Sequence, residues 1–140
     1  MKINIYLNFE GNTEEAFNFY RSVFGGEFGM IMRFKDMPQG ENPIPKEVEN
    51  KIMHINLPIG NTILMGTDAI EGFGGKLKSG NNFSIQLEPE TKEDANNFFK
   101  ALSEGGNVGM PLEDSFWGAY FGTLTDKFGV QWMVNFWNKK

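Results

Sequence analysis

A chain of 140 residues, 40% hydrophobic and 22% charged, is long enough to bury the core of one domain. Its 18 acidic residues against 13 basic ones give a formal net charge of −5 with no basic cluster, which argues against nucleic acid and anionic membrane surfaces as partners. It has no cysteine, so disulfides and thiolate metal sites are excluded.

The first stretch, Met1 to Tyr6, lacks the apolar run of a signal peptide, and no stretch approaches a membrane span. The expectation is a cytoplasmic protein. Ile3, Ile5, Leu7 and Phe9 alternate with Asn4, Tyr6, Asn8 and Glu10, the period of a strand with one apolar face. Asn12 and Glu15 have the spacing of a capping box. Ala16, Phe19, Tyr20, Val23 and Phe24 then fall at helical spacing, so a helix is predicted close to Thr13–Phe24, ended by Gly25-Gly26. Glu27 to Phe34 reads as a strand. The stretch from Asp36 to Asn50 carries Pro38, Pro43 and Pro45 and reads as a long loop, with an apolar tip at Pro43-Ile44-Pro45. Lys51 to Ile59 and Thr62 to Asp68 read as two strands joined through Gly60-Asn61. Ala69 to Gly80 is rich in glycine and lysine and reads as a linker.

After that linker the pattern returns. Asn82 to Glu88 is a predicted strand, and Thr91 caps a helix predicted close to Thr91–Ser103, with Ala95, Phe98, Phe99 and Leu102 as its apolar stripe. Glu14 to Tyr20 lies over Glu93 to Phe99 at an offset of 79 residues, and each helix is followed by a Gly-Gly pair. Three strands close each half. In the second they are a short one at Asn107–Met110, then Trp117–Leu124 and Val130–Trp137, the last two joined by the turn Asp126-Lys127-Phe128-Gly129. A repeat of half the chain predicts an α+β domain of two pseudo-symmetric βαβββ units, residues 1–70 and 81–140.

Several strings carry a resemblance. They are Phe9-Glu10-Gly11-Asn12 with Glu15-Ala16 and Phe19-Tyr20, Phe24-Gly25-Gly26, Met53-His54, and Met65 with Asp68. Further on come Met110-Pro111-Leu112, Phe116-Trp117-Gly118, Phe121-Gly122, Asp126-Lys127-Phe128-Gly129 and Trp132-Met133-Val134-Asn135. Over essentially the whole chain they resemble the PhnB-like group of the vicinal-oxygen-chelate superfamily, which includes glyoxalase I, bleomycin-resistance proteins and extradiol dioxygenases. The resemblance implies curved mixed sheets enclosing a pocket, and a homodimer. The group is also labelled 3-demethylubiquinone methyltransferase-like, but no glycine-rich fingerprint after a strand supports a methyl-donor site here. In metal-dependent members, one His, Glu or Gln ligand comes from the first and one from the last strand of each unit. That pattern falls on Ile5, Met65, Ser84 and Met133, none of them a credible ligand for a divalent ion, with Gln86 the nearby substitute. No metal and no cofactor are therefore expected.

His54 is the only histidine. The Gly60-Asn61 turn pairs Ile59 with Thr62, which sets Asn56 opposite Met65 and His54 opposite Thr67. All four should share one side of the sheet. His54 is then either a base or ligand-orienting donor, or a hydrogen-bonded structural histidine. Trp117 reads as a flat pocket wall or as core or dimer packing. Trp132 has the opposite parity to Met133 and should pack on a helix, whereas Asn135 shares Met133's parity. Met30, Met32 and Met65 read as core filler or an adaptable lining. The expected ligand-binding set is His54, Asn56, Met65, Thr67, Ser84, Gln86, Trp117, Met133 and Asn135. The resemblance implies that Ile5 faces the same cavity as Met65, Ser84 and Met133, and strand alternation adds Leu7, Gln86 and Asn135. The leading function is small-molecule binding in an aromatic and apolar pocket without a metal. The alternative is a glyoxalase- or dioxygenase-type enzyme whose non-standard metal site uses His54 and Gln86.

Overall fold

The computed structural model describes residues 1–38, 40, 44–70 and 76–138. Parts of the Asp36–Asn50 loop, including Pro43 of its apolar tip, and the middle of the Ala69–Gly80 linker lie outside those residues. The chain divides into two units, Met1–Lys78 and Ser79–Lys140. Each is one βαβββ repeat, so the fold class is the α+β class read from the sequence.

In the first unit the order is β1 (Ile5–Phe9), α1 (Thr13–Phe24), β2 (Met30–Arg33), β3 (Ile52–Ile59) and β4 (Thr62–Asp68). The sheet runs β1-β4-β3-β2, with β1 parallel to β4 and the other pairs antiparallel. In the second unit the order is β5 (Ile85–Leu87), α2 (Lys92–Ser103), β6 (Asn107–Asp114), β7 (Ala119–Thr125) and β8 (Gln131–Trp137). Its sheet runs β5-β8-β7-β6, again with the first and last strands parallel.

The helices form where the apolar spacing demands it, but the buried stripe of α1 is Thr13, Ala16, Phe17 and Tyr20. Phe17, and not Phe19, enters the core; its position follows the i, i+3, i+4, i+7 rule from Thr13. Burying such a ring is worth about 1.5–3 kcal/mol. Gly66 on β4 makes room for it: a Cβ there would come 2.6 Å from the Phe17 ring. On α2 the stripe is Ala95, Phe99 and Leu102, and Gly122 on β7 lies under Phe99 in the same way.

Helix α2 is capped as its sequence predicts, the Thr91 hydroxyl accepting the Asp94 N–H at 3.0 Å. Helix α1 is not. Asn12 makes no side-chain capping bond, and the capping box with Glu15 is absent. The cap comes from Asp68, a buried carboxylate at the end of β4. Its Oδ1 accepts the Thr13 N–H at 3.0 Å and the Thr13 hydroxyl at 2.7 Å, and its Oδ2 accepts the Ile52 N–H at 2.8 Å. One ionised side chain therefore ties α1, β3 and β4 together, with its charge at the positive end of the helix dipole.

The second unit has its own buried carboxylate. Asp126 Oδ1 accepts the N–H groups of Phe128 and Val130, and Oδ2 accepts the Trp132 indole N–H at 2.9 Å. Gly129 closes this turn at φ 92°, as its turn chemistry predicts.

Strand β6 is longer than expected, running on from Met110 to Asp114 through two register irregularities against β7. Strands β2 and β5 are shorter than expected. Two short 3-10 turns, Phe34–Asp36 and Lys46–Val48, occupy part of the Asp36–Asn50 loop.

Candidate functional site

Each sheet has one face covered by its helix and one face without a helix. In the first unit Gly66 marks the covered face, because it lies beneath Phe17. Leu7 and Ile55 pair with Gly66 and share that face. Ile5, at the same parity as Leu7, is there too. This corrects the expectation that Ile5 and Leu7 face the same side as Met65. The parallel register of β1 on β4 is the reason: Met65 pairs with Tyr6, and Thr67 with Asn8. A shift of one residue exchanges the faces of a strand, and here it brings Tyr6 forward in place of Ile5.

The helix-free face of the first unit thus carries Tyr6 and Asn8 on β1, Met65 and Thr67 on β4, and His54 and Asn56 on β3. Met30 and Met32 on β2 stand beside Asn56 and His54. Asn56 pairs with Met65, as the hairpin register predicts. Its amide packs against the bare Cα of Gly29, where a Cβ would collide with it. The Tyr6 hydroxyl meets Nδ1 of His54 at 3.0 Å, their rings 5.6 Å apart. Burial raises the Tyr6 phenol above its ordinary pKa, while a hydrogen bond from Thr67 works the other way. Tyr6, His54 and Thr67 therefore form one polar group set among thioethers. Tyr6 was not among the residues expected from the sequence. Its only local signal is the polar phase of the β1 alternation.

In the second unit Gly122, beneath Phe99, marks the covered face, and Val134 pairs with it. Trp132, fully buried at the same parity, lies on this side, as its sequence parity predicts. Tyr120 also faces this way and donates to Asn96 of α2 at 2.6 Å. The helix-free face carries Met133 and Asn135 on β8, Phe121 and Thr123 on β7, and Gln86 on β5. Gln86 pairs with Met133 and donates to Glu88 at 2.9 Å. Ser84 is exposed just before β5, at Gln86's parity. Trp117 stands in the turn before β7, 44% exposed, its ring 5.4 Å from that of Phe121. Asn135 pairs with Phe121 and is buried. Phe121, quoted from the sequence only within the family resemblance, is a further residue of this face outside the expected ligand-binding set.

The donor sets do not fit a hard divalent cation of the superfamily's kind. The first face offers a phenol, an imidazole whose Nδ1 is engaged by that phenol, amides and thioethers. The second offers amides, hydroxyls and a thioether, with two carboxylates at its edges, Glu88 engaged by Gln86 and Glu113 opposite Phe121. Such ions prefer carboxylate and imidazole ligands in convergent sets. Among the described residues no three His, Cys, Asp or Glu side chains come together in such a set.

Two βαβββ repeats, each with a mixed four-stranded sheet and a helix on one face, define the vicinal-oxygen-chelate fold. Residues 1–135 match the model of the family described as 3-demethylubiquinone-9 3-methyltransferase, and the chain belongs to that family, the PhnB-like group of the superfamily. It is 30% identical to protein YjdN of Escherichia coli over 142 residues, covering 96% of this chain and 95% of that one. It is similar to the crystal structure of protein PA1353 from Pseudomonas aeruginosa, with 40% identity, a TM-score of 0.85 and 97% of both chains covered. A PhnB protein from Bacillus cereus, described as a putative 3-demethylubiquinone-9 3-methyltransferase, matches at 29% identity and a TM-score of 0.75 over 97% of this chain and 99% of that one. A glyoxalase-related enzyme from Fulvimarina pelagi shares the fold at 16% identity and a TM-score of 0.65, covering 97% of this chain and 88% of that chain.

Proposed function

We propose that this protein binds a small organic molecule on the helix-free faces of its sheets, without a metal or cofactor. The observation that carries the reading is the Tyr6–His54 pair. A phenol and an imidazole meet at 3.0 Å on a sheet face that also presents Thr67, Asn56 and the thioether of Met65. A few convergent polar groups on an otherwise apolar, deformable surface suit a neutral ligand. On the first unit's face the groups offered to such a ligand are His54, Asn56, Met65 and Thr67, with Tyr6 added. On the second unit's face, taken by itself, they are Ser84, Gln86, Met133, Asn135 and Trp117. The donor chemistry of both faces favours this reading over a metal-dependent glyoxalase or dioxygenase. Localisation in the cytoplasm and assembly as a homodimer are part of the same proposal. Val108, Met110 and Phe116, all exposed, supply apolar surface for the dimer.

The test is a thermal-shift screen of small aromatic and heteroaromatic compounds against chelator-treated protein, repeated on His54→Ala. Hits should raise the melting temperature without added metal. His54→Ala should weaken them by about 0.5–1.5 kcal/mol, the worth of one hydrogen bond to a rewetted partner, and should cost the fold less than that. Hits that need added zinc or manganese would reverse the choice between binding protein and metalloenzyme. A variant that loses more fold stability than affinity would make His54 structural.

A further inference from the structure

Asn135 is 4% exposed, yet its amide nitrogen Nδ2 has no hydrogen-bond partner. Among the described residues it is the only buried side-chain nitrogen or oxygen in that state. Buried donors are almost always satisfied, because a bare one forfeits its hydration for nothing. Two polar neighbours on its face are already engaged. Thr123 Oγ1 accepts the Met110 N–H at 2.9 Å, and Gln86 donates to Glu88. Across the ladder from Asn135 stands Phe121, whose ring meets Trp117 at 5.4 Å and 65°. The second unit thus holds a donor without an acceptor beside a pair of aromatic rings.

We propose that Asn135 Nδ2 is the donor for a carbonyl oxygen of a flat aromatic ligand whose ring lies against Trp117 and Phe121. The charge nearby selects a neutral carbonyl over a carboxylate. Glu113 pairs with Phe121 on β6, and Glu88 is bonded to Gln86 on the same side, so an anion would meet two like charges. This inference rests on the small-molecule reading and narrows it to a chemical class.

Isothermal titration of the full chain with three naphthalenes tests it. 2-Acetylnaphthalene has the ring and a neutral carbonyl, 2-ethylnaphthalene lacks the oxygen, and 2-naphthoate carries the charge. The acetyl compound should bind at least about tenfold tighter than the ethyl compound, and tighter than the naphthoate. Asn135→Leu, close in size, should bring the acetyl compound down to the ethyl compound's affinity and leave the ethyl compound unchanged. Equal affinities of the acetyl and ethyl compounds for the native chain would overturn the role of Asn135 while leaving small-molecule binding in place. Binding of neither would overturn the ligand class, and the His54 screen would then decide the wider reading separately. Tightest binding of the naphthoate would overturn the charge argument and with it the neutral carbonyl. If Asn135→Leu does not fold, the side-chain amide resonance of Asn135 in the native chain decides. It should move with the acetyl compound and not with the ethyl one, and an unmoved resonance overturns the proposal.

Discussion

Tyr6 shows how one residue's position depends on a partner far along the chain. Alternation in β1 is plain from the sequence, but which phase faces which side is set by pairing with β4, nearly sixty residues on. A family alignment that slips by one selects Ile5, and the register selects Tyr6. Asn56 and Met65, by contrast, are placed correctly by a two-residue turn, because the tight Gly60-Asn61 connection fixes a hairpin register locally. The Tyr6 phenol also makes a prediction about pH. Its folded pKa is raised, chiefly by burial. A raised pKa means that the folded state favours the neutral phenol. The contribution is fully present below the unfolded value near pH 10 and is lost as pH rises through the folded value. Urea unfolding at about pH 8 and about pH 11 should show the native chain losing more stability than Tyr6→Phe over that window. Parallel losses in the two proteins would mean that Tyr6 ionises as freely in the folded chain as in the unfolded one.

Among the elements, the two helices were legible almost to the residue, because 3.6-residue spacing and glycine stops are local signals. The cap of α1 was not. Asn12 and Glu15 have the right spacing, but Asp68 out-competes them with a buried charge that serves three donors at once. No window of sequence around the helix contains that information. Strand β6 runs past Met110, where the sequence reading ends it, to Asp114. The strand continues because its register irregularities against β7 accommodate the proline at a sheet edge. The Asp68 cap yields the clearest prediction about stability. Asp68→Ala strands two N–H groups and a hydroxyl, and should cost about 3 kcal/mol or more in urea unfolding. Asn12→Ala should cost about 0.5 kcal/mol or less, since it removes no capping bond. A large loss at Asn12 with a small one at Asp68 would invert this assignment of the cap.

At the scale of the whole chain, the 79-residue repeat foretold two βαβββ units. The boundary between Lys78 and Ser79 falls within the stretch read as a linker. What the repeat could not convey is chemical difference between the halves. The first helix-free face is built on a phenol–imidazole pair, and the second on amides and aromatic rings. The proposed homodimer is tested by light scattering at high micromolar concentration, which should give twice the chain mass of 15.9 kDa. A monomer under those conditions would remove the dimer and leave Phe116, 98% exposed, without that explanation.

If the helix-free faces take a small molecule without a metal, as proposed, the methionines report on it directly. Met65 lies on one such face and Met133 on the other. With methyl-labelled methionine and chelator-treated protein, adding a thermal-shift hit should move the Met65 or Met133 methyl resonance. The Met37 and Met1 signals, from residues outside the strands of either sheet, should stay in place. Movement confined to Met1 or Met37, or movement that appears only after a divalent metal is restored, would contradict the claim.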